Sequence, residues 1–121
     1  MVSLKTSLNI YDNTGAVFAE CIKTYGFSKR NNAKVGQYIL SSVKRATPGR
    51  KIKKGSMHKV LITQSRRPLH RKDGTIVELD RTGGVLIKEY LPVGTRINRL
   101  ISFEVRMNGY SKVVSLSPIV V

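Results

Sequence analysis

Apolar residues in the first ninety positions form short runs separated by Gly, Pro, Asn and Asp. The runs are rich in β-branched and aromatic residues and are too closely spaced for helices to intervene. We predict strands at residues 8–11, 16–25, 38–44, 59–64, 75–79 and 84–88. Short strands at this spacing are typical of a small antiparallel barrel or sandwich.

Turn residues separate the predicted strands. The strongest hairpin signal is Asp73-Gly74, because an Asp-Gly pair between two apolar runs suits a tight β-turn. Other turns are predicted at residues 13–15, 48–49, 54–56 and 83–84. Near the C-terminus, residues 101–108 and 113–116 mix helical and alternating spacings, so periodicity leaves a strand and a short helix equally open there.

The net positive charge of the chain comes from its middle. Residues 21–72 contain fifteen Lys or Arg and no Asp or Glu, whereas residues 1–20 sum to −1 and residues 73–121 to +1. At 121 residues and 40% apolar, the chain is large and apolar enough for one folded domain with a real core. A surface adapted only for solubility mixes both signs, so this excess predicts a polyanionic partner.

Two segments hold most of the charge. The first basic loop, residues 44–55, is expected to stand off the barrel as an extended ribbon or loop, and the second basic loop covers residues 66–72. Lysines and arginines between residues 23 and 34 extend this surface. The predicted RNA-binding set is Lys23, Lys29, Arg30, Lys34, Lys44, Arg45, Arg50, Lys51, Lys53, Lys54, Arg66, Arg67, Arg71 and Lys72.

The aromatic content narrows the kind of polyanion. Tyr38 is the only aromatic residue between Phe27 and Tyr90, so the sequence offers no series of rings on which successive unpaired bases could stack. Lys and Arg beside Gly turns suit the phosphates of structured RNA or duplex. Neither an amphipathic basic helix nor a lipidation signal points to a membrane.

Candidate catalytic residues are few. His58 and His70 are the only residues expected to act as general bases at neutral pH. An RNA-processing enzyme that uses one of them remains an alternative. Asp73 is explained by its turn, and Arg81 is the expected counter-ion for Glu78 and Asp80. Residues 49–55 lack the GK[ST] ending of a nucleotide-binding loop. We therefore predict no enzyme, no cofactor and no metal.

Cysteine usage supports the same conclusion about metals. Cys21 is the only cysteine, so the chain has neither a disulfide framework nor a zinc-binding set. Its apolar neighbours predict a buried thiol on a strand.

Several short motifs follow one another in a specific order. They are DNTGA at 12–16, CIK at 21–23, VG at 35–36, KIKKG at 51–55, VLI at 60–62, DG at 73–74, VLI at 85–87, GTRI at 94–97 and SLSP at 115–118. Their order and spacing resemble the universal ribosomal protein L-fourteen family of the large subunit along nearly the whole chain.

The resemblance implies a mainly β fold: a small five-stranded antiparallel β-barrel over residues 1–90 with a projecting basic β-ribbon, then a small helical C-terminal unit over 91–121. Residues 101–108 and 112–117 would then be helical. It also implies a non-enzymatic constituent of the large ribosomal subunit that binds large-subunit rRNA. A turn is the expected role of Asp12, Asn13 and Gly15, and RNA contact is the second interpretation of these residues.

The resemblance implies further partners at the intersubunit face. These are the neighbouring ribosomal proteins L-three and L-nineteen, and small-subunit rRNA at intersubunit bridges. Thr95, Arg96 and Lys112 match positions where an anti-association (silencing) factor docks on the family.

Three residues depart from the family pattern. Val17 stands where a basic residue is usual, Val60 where the residue is usually smaller, and Leu79 where an aromatic is common. These departures favour a ribosome of the mitochondrial matrix over one of the bacterial cytoplasm or plastid. The alternative to a ribosomal role is a free-standing small-barrel module that binds structured RNA or duplex outside the ribosome.

Overall fold

The computed structural model describes residues 2–25 and 32–121. Within them the strands are β1 (Ser7–Ile10), β2 (Ala16–Thr24), β3 (Tyr38–Ala46), β4 (Met57–Gln64), β5 (Leu69–His70), β6 (Ile76–Val77), β7 (Gly83–Lys88) and β8 (Leu91–Pro92). The helices are α1 (Glu104–Met107) and α2 (Ser111–Leu116). The six predicted strands are all present, although β6 is shorter than predicted, and β5 and β8 are additional.

A closed five-stranded barrel organises the first ninety residues. The strands β1, β2, β3, β4 and β7 pair in that order, and a parallel pairing of β1 with β7 closes the ring. Closure brings backbones close together at Gly84, where a Cβ would collide with the carbonyl oxygen of Leu61. The barrel interior is filled from every strand, by residues that include Leu8, Ala19, Ile39, Val60 and Leu86.

Two barrel strands are buried on both faces. On β4 and β7 the side chains of Leu61, Val85 and Ile87 point away from the barrel core and pack against the C-terminal region. That second core contains Ile97, Ile101, Val105, Tyr110, Val113 and Val114. Because both faces of these strands are covered, the sequence there reads as a continuous apolar run instead of an alternation.

The C-terminal ambiguity is resolved in favour of helix. Helices α1 and α2 fall inside or close to the ranges that the family resemblance implies. Helix α1 places Val105 in the second core, and α2 places Val113 and Val114 there. Neither helix, among the residues described, has the length and apolar character needed to cross a membrane.

The predicted Asp73-Gly74 hairpin is confirmed. Strands β5 and β6 pair as a two-stranded ribbon outside the barrel sheet, with Leu69 opposite Val77. Gly74 adopts φ +90°, and Asp73 Oδ1 accepts hydrogen bonds from the backbone N–H and hydroxyl of Thr75 at 3.0 and 2.7 Å. These bonds are the first cause of the lowered pKa of Asp73.

Two further expectations are settled by the fold. Cys21 is buried on β2 as predicted, and burial raises the pKa of its thiol. The expected pairing of Asp80 with Arg81 is wrong, since Asp80 instead accepts from Arg99 at 3.2 Å. Glu78 and Asp80 lie in the segment between β6 and β7.

Candidate nucleic-acid interface

The first basic loop is fastened to the barrel and does not stand free as expected. Lys44 and Arg45 continue β3, and the chain then turns at residues 48–49. Ile52 returns to the barrel core, where its backbone N–H donates to the Thr14 carbonyl at 3.1 Å. The physical reason is that Ile52 is the apolar residue inside a run of cations.

Burial of Ile52 determines where its charged neighbours point. Arg50, Lys51, Lys53 and Lys54 are all exposed around it. The loop ends at Gly55, whose N–H donates to the Val43 carbonyl at 2.8 Å. The loop therefore presents cations to solvent from a backbone that is held at several points.

The first basic loop packs against the turn at residues 12–16. Gly15 has φ +102°, and a Cβ there would collide with the side chain of Arg50. The N–H of Thr47 donates to the Gly15 carbonyl at 2.8 Å. Gly15 thus allows the first basic loop to lie directly against the turn.

The polar side chains of the same turn form hydrogen bonds to other parts of the protein. Buried Asp12 accepts from the Thr14 hydroxyl at 2.6 Å through Oδ1 and from the Leu86 N–H at 3.0 Å through Oδ2. The Asn13 amide donates to the Thr95 hydroxyl at 2.7 Å and accepts from the Thr95 N–H at 2.9 Å. The turn consequently ties the C-terminal region to the barrel.

The second basic loop borders a groove of about 380 Å³. Lys34 and Arg67 both line this groove, together with Val35, Ser65, Pro68, Leu69 and His70. Two cations that are distant in sequence therefore flank one concave surface. Arg66, Arg67 and Lys72 are exposed.

Among the described residues of the predicted set, Arg71 is the one that forms an ion pair. Its Nε lies 2.9 Å from Glu104 Oε1, and its Nη2 donates to the Val121 carbonyl at 2.6 Å. The guanidinium joins the ribbon to α1 and to the last residue, and its charge is balanced by a carboxylate. Lys29 and Arg30 lie outside the described residues.

Tyrosines form a cluster that the sequence argument about aromatic residues missed. Tyr25 and Tyr38 have ring centroids 5.0 Å apart, as do Tyr90 and Tyr110. All four line one cavity of about 260 Å³. This cluster gathers four rings around one cavity and is not a series for successive bases, so the expectation about single-strand binding stays a prediction.

Lysines accompany these rings. Lys23 Nζ lies 5.4 Å from the centroid of Tyr25, and Lys59 Nζ lies 5.3 Å from that of Tyr38. Lys59 was not in the predicted set. Lys59 lies on β4, next to the strand that carries Tyr38, and the sequence alone shows only a charged residue on a predicted strand.

The predicted docking residues occupy two different elements. Thr95 and Arg96 are exposed on the segment held by Asn13, whereas Lys112 is exposed on α2. Of the two histidines, His58 pairs through Nε2 with the Ser56 hydroxyl at 3.0 Å, and His70 is exposed on β5. Among residues 2–25 and 32–121, no three His, Cys, Asp or Glu side chains are grouped as metal ligands would be.

Comparison with known families agrees with the order of motifs along the chain. The family model described as Ribosomal protein L14p/L23e matches residues 1–121, which is the whole chain. The chain therefore belongs to the ribosomal protein L14p/L23e family and is a structural protein of the large ribosomal subunit.

Proposed function

We propose that this protein binds large-subunit rRNA through its two basic loops and the cations between residues 23 and 34. The observation that carries the proposal is the fastening of the first basic loop. Ile52 is buried while Arg50, Lys51, Lys53 and Lys54 are exposed around it. Phosphate contacts from such a surface fix the position of a protein on folded RNA without reading its sequence.

Counter-ion release supplies much of the binding free energy. No carboxylate lies between residues 21 and 72, and among the described cations of this stretch only Arg71 is ion-paired, so the exposed ones attract phosphates without competition from a carboxylate. If about 6 to 10 phosphates are neutralised, affinity falls about 10³ to 10⁵ fold between 50 and 200 mM salt. The groove between Lys34 and Arg67 suits a backbone phosphate flanked from both sides.

The C-terminal region is proposed to face the small subunit. Its near-neutral charge suits a surface that joins and releases a partner, and Thr95, Arg96 and Lys112 are exposed there. The proposed partners are small-subunit rRNA at intersubunit bridges, ribosomal proteins L-three and L-nineteen, and a silencing factor. The proposed compartment is the mitochondrial matrix.

Incorporation into large subunits tests the rRNA-binding proposal. We compare the triple variant Lys51→Ala/Lys53→Ala/Lys54→Ala with a control triple variant, Arg81→Ala/Lys88→Ala/Arg106→Ala. The control removes the same charge from exposed positions outside residues 21–72. Arg50 is left intact because its side chain packs on Gly15. Only the first variant should be depleted from large subunits after sedimentation.

Circular dichroism of both triple variants is measured in parallel. Equal incorporation of the two folded variants would contradict the proposal, and loss of the folded signal in the first would mean that its lysines are structural. Sedimentation of the unmutated protein separates the ribosomal role from a free-standing module. A free-standing module would leave large subunits at salt that strips loosely bound RNA-binding proteins.

The C-terminal part of the proposal has its own test. Arg96→Ala and Lys112→Ala should weaken subunit joining or factor docking more than they weaken assembly. Purified large subunits carrying each variant are mixed with small subunits, and joined ribosomes are measured by sedimentation. Normal joining and docking with both variants would refute this assignment.

A further inference from the structure

Four of the five tyrosines converge on one groove, although they lie as far apart in sequence as Tyr25 and Tyr110. Two cavities of about 260 and 270 Å³ adjoin there and share the side chains of Tyr38, Tyr90 and Tyr110. Pockets for drug-sized ligands span roughly 300 to 1,000 Å³. Each lobe of this groove is therefore of a size for a single ring system.

The turn that carries Tyr90 is strained. Lys88 pairs with Leu91 around a two-residue hairpin loop, and both loop residues have positive φ, +51° at Glu89 and +66° at Tyr90. Such loops favour Asn-Gly, because other residues are disfavoured in the left-handed region. A tyrosine with positive φ at this position, 61% exposed beside Tyr110, points to a use for its ring.

The groove combines rings with positive charge and amides. Lys59 lines one lobe, and its ammonium lies 5.3 Å from the Tyr38 centroid. Glu89 is the carboxylate in the same lobe. Gln37 and Asn108 line the other lobe. Gln37 Oε1 accepts from the Lys34 N–H and Asn108 Nδ2 donates to the Gly36 carbonyl, so Gln37 Nε2 and Asn108 Oδ1 are the amide groups that can hydrogen-bond the edge of a base.

We propose that this groove, defined by Tyr25, Tyr38, Tyr90 and Tyr110, stacks a single unpaired base of rRNA. The rings provide the stacking surface, and Lys23 and Lys59 contact the phosphates on either side of the base. This site is separate from the two basic loops, and it rests on the proposed function in taking RNA as its ligand. It gives the protein a means to select RNA with an extruded nucleotide.

The lining favours RNA over a protein side chain. Tyrosine is common in both kinds of interface, but lysine is depleted from the cores of protein–protein interfaces. Here two ammonium groups lie over the rings, which matches a base flanked by phosphates.

Paired RNA probes test the inference with the full chain. One stem-loop carries a single bulged 2-aminopurine, a fluorescent adenine analogue, and the other is the same stem fully paired. Stacking on aromatic side chains contributes about 1 to 3 kcal/mol per base, so the bulged RNA should bind about 5-fold tighter or more. Its fluorescence should also change on binding as the base stacks.

Substitutions at the exposed Tyr90 identify the site. Tyr90→Leu should abolish the preference for the bulged RNA, while Tyr90→Phe should keep it because the ring is retained. Phe103→Leu is the matched control, since Phe103 is an exposed aromatic outside the groove. A preference that survives Tyr90→Leu, or one lost equally in Phe103→Leu, would overturn the inference.

The outcomes also separate this inference from the proposed function. Equal affinity for the two RNAs, with steep salt dependence for both, would overturn the stacking site and leave the basic loops as the RNA-binding surface. The groove would then be assigned to a protein neighbour. Failure of the unmutated chain to bind either RNA at 50 mM salt would overturn both.

Discussion

The cations of the first basic loop have different surroundings from the arginines that contact the C-terminal third of the chain. Arg50, Lys51, Lys53 and Lys54 are exposed within a segment that has no carboxylate. Arg71, in contrast, is held by Glu104 of α1, and Arg99 by Asp80. In the loop an apolar residue anchors the backbone and the cations remain available. Arg71 and Arg99, by contrast, themselves join elements of the fold.

The number of cations alone therefore does not define an RNA-binding surface. Arg71 and Lys72 are adjacent in the same basic loop, yet one is bound to a carboxylate and the other is exposed. A charge that is paired within the protein releases fewer counter-ions when RNA binds. The comparison predicts that stability and RNA binding can be altered separately.

The largest effect is expected from Ile52→Ala. Removing a buried isoleucine side chain costs about 2 to 4 kcal/mol in the free energy of unfolding, because a cavity is left in the core. The same substitution should weaken RNA binding, since the cations around it lose their anchor. Urea unfolding followed by circular dichroism measures the first effect, and RNA titration measures the second.

Met57→Ala is the control for Ile52→Ala. Met57 is exposed at the start of β4, so its truncation should change stability by less than about 0.5 kcal/mol. If Ile52→Ala were as mild as this control, the loop would not depend on an apolar anchor. The contrast between the two regions would then fail.

The second prediction compares Arg71→Ala with Lys72→Ala. Arg71→Ala removes a partly buried ion pair and a hydrogen bond to the Val121 carbonyl, so it should cost about 1 to 2 kcal/mol in stability. Lys72→Ala should leave stability unchanged and reduce the slope of log affinity against log salt by about 1. Unfolding and salt titrations on both variants check this, and a larger slope change for Arg71→Ala would reverse the assignment.

Local sequence patterns predicted the barrel strands, the Asp73-Gly74 hairpin and the buried Cys21. These features depend on residues close together in sequence, such as a turn pair between apolar runs. Strand β8 was not predicted because it has two residues, one of them Pro92, and exists only by pairing with β7. The anchoring of the first basic loop was also missed, although Ile52 among cations was its visible signal.

The long-range parts of the candidate site could not be predicted in this way. The Arg71–Glu104 pair joins residues 33 positions apart, and the tyrosine groove joins residues from β3, the β7–β8 turn and the C-terminal region. Such contacts depend on how the barrel closes and where the C-terminal region packs. No periodicity within one segment encodes them.

The third prediction concerns Asn13, which belongs to the barrel but acts on the C-terminal region. Asn13→Ala removes hydrogen bonds to Thr95 and to the backbone N–H of Arg96, and should cost about 1 kcal/mol. Arg96→Ala, at an exposed side chain, should cost less than about 0.5 kcal/mol. Urea unfolding compares them. Equal costs would mean that the Asn13 amide does not hold this segment.

The smallest effect is expected from Asp80→Asn. Its carboxylate is 3.2 Å from Arg99 Nη2, but the Asp80 side chain is 66% exposed, and exposed ion pairs contribute about 0 to 1 kcal/mol. Arg99 also lies 5.2 Å from the ring centroid of Tyr11, a contact that the substitution leaves in place. We expect a loss below about 0.5 kcal/mol that shrinks further in high salt, because screening weakens surface pairs. A loss as large as that of Arg71→Ala would mean that pairing by itself, and not partial burial, makes a cation structural in this fold.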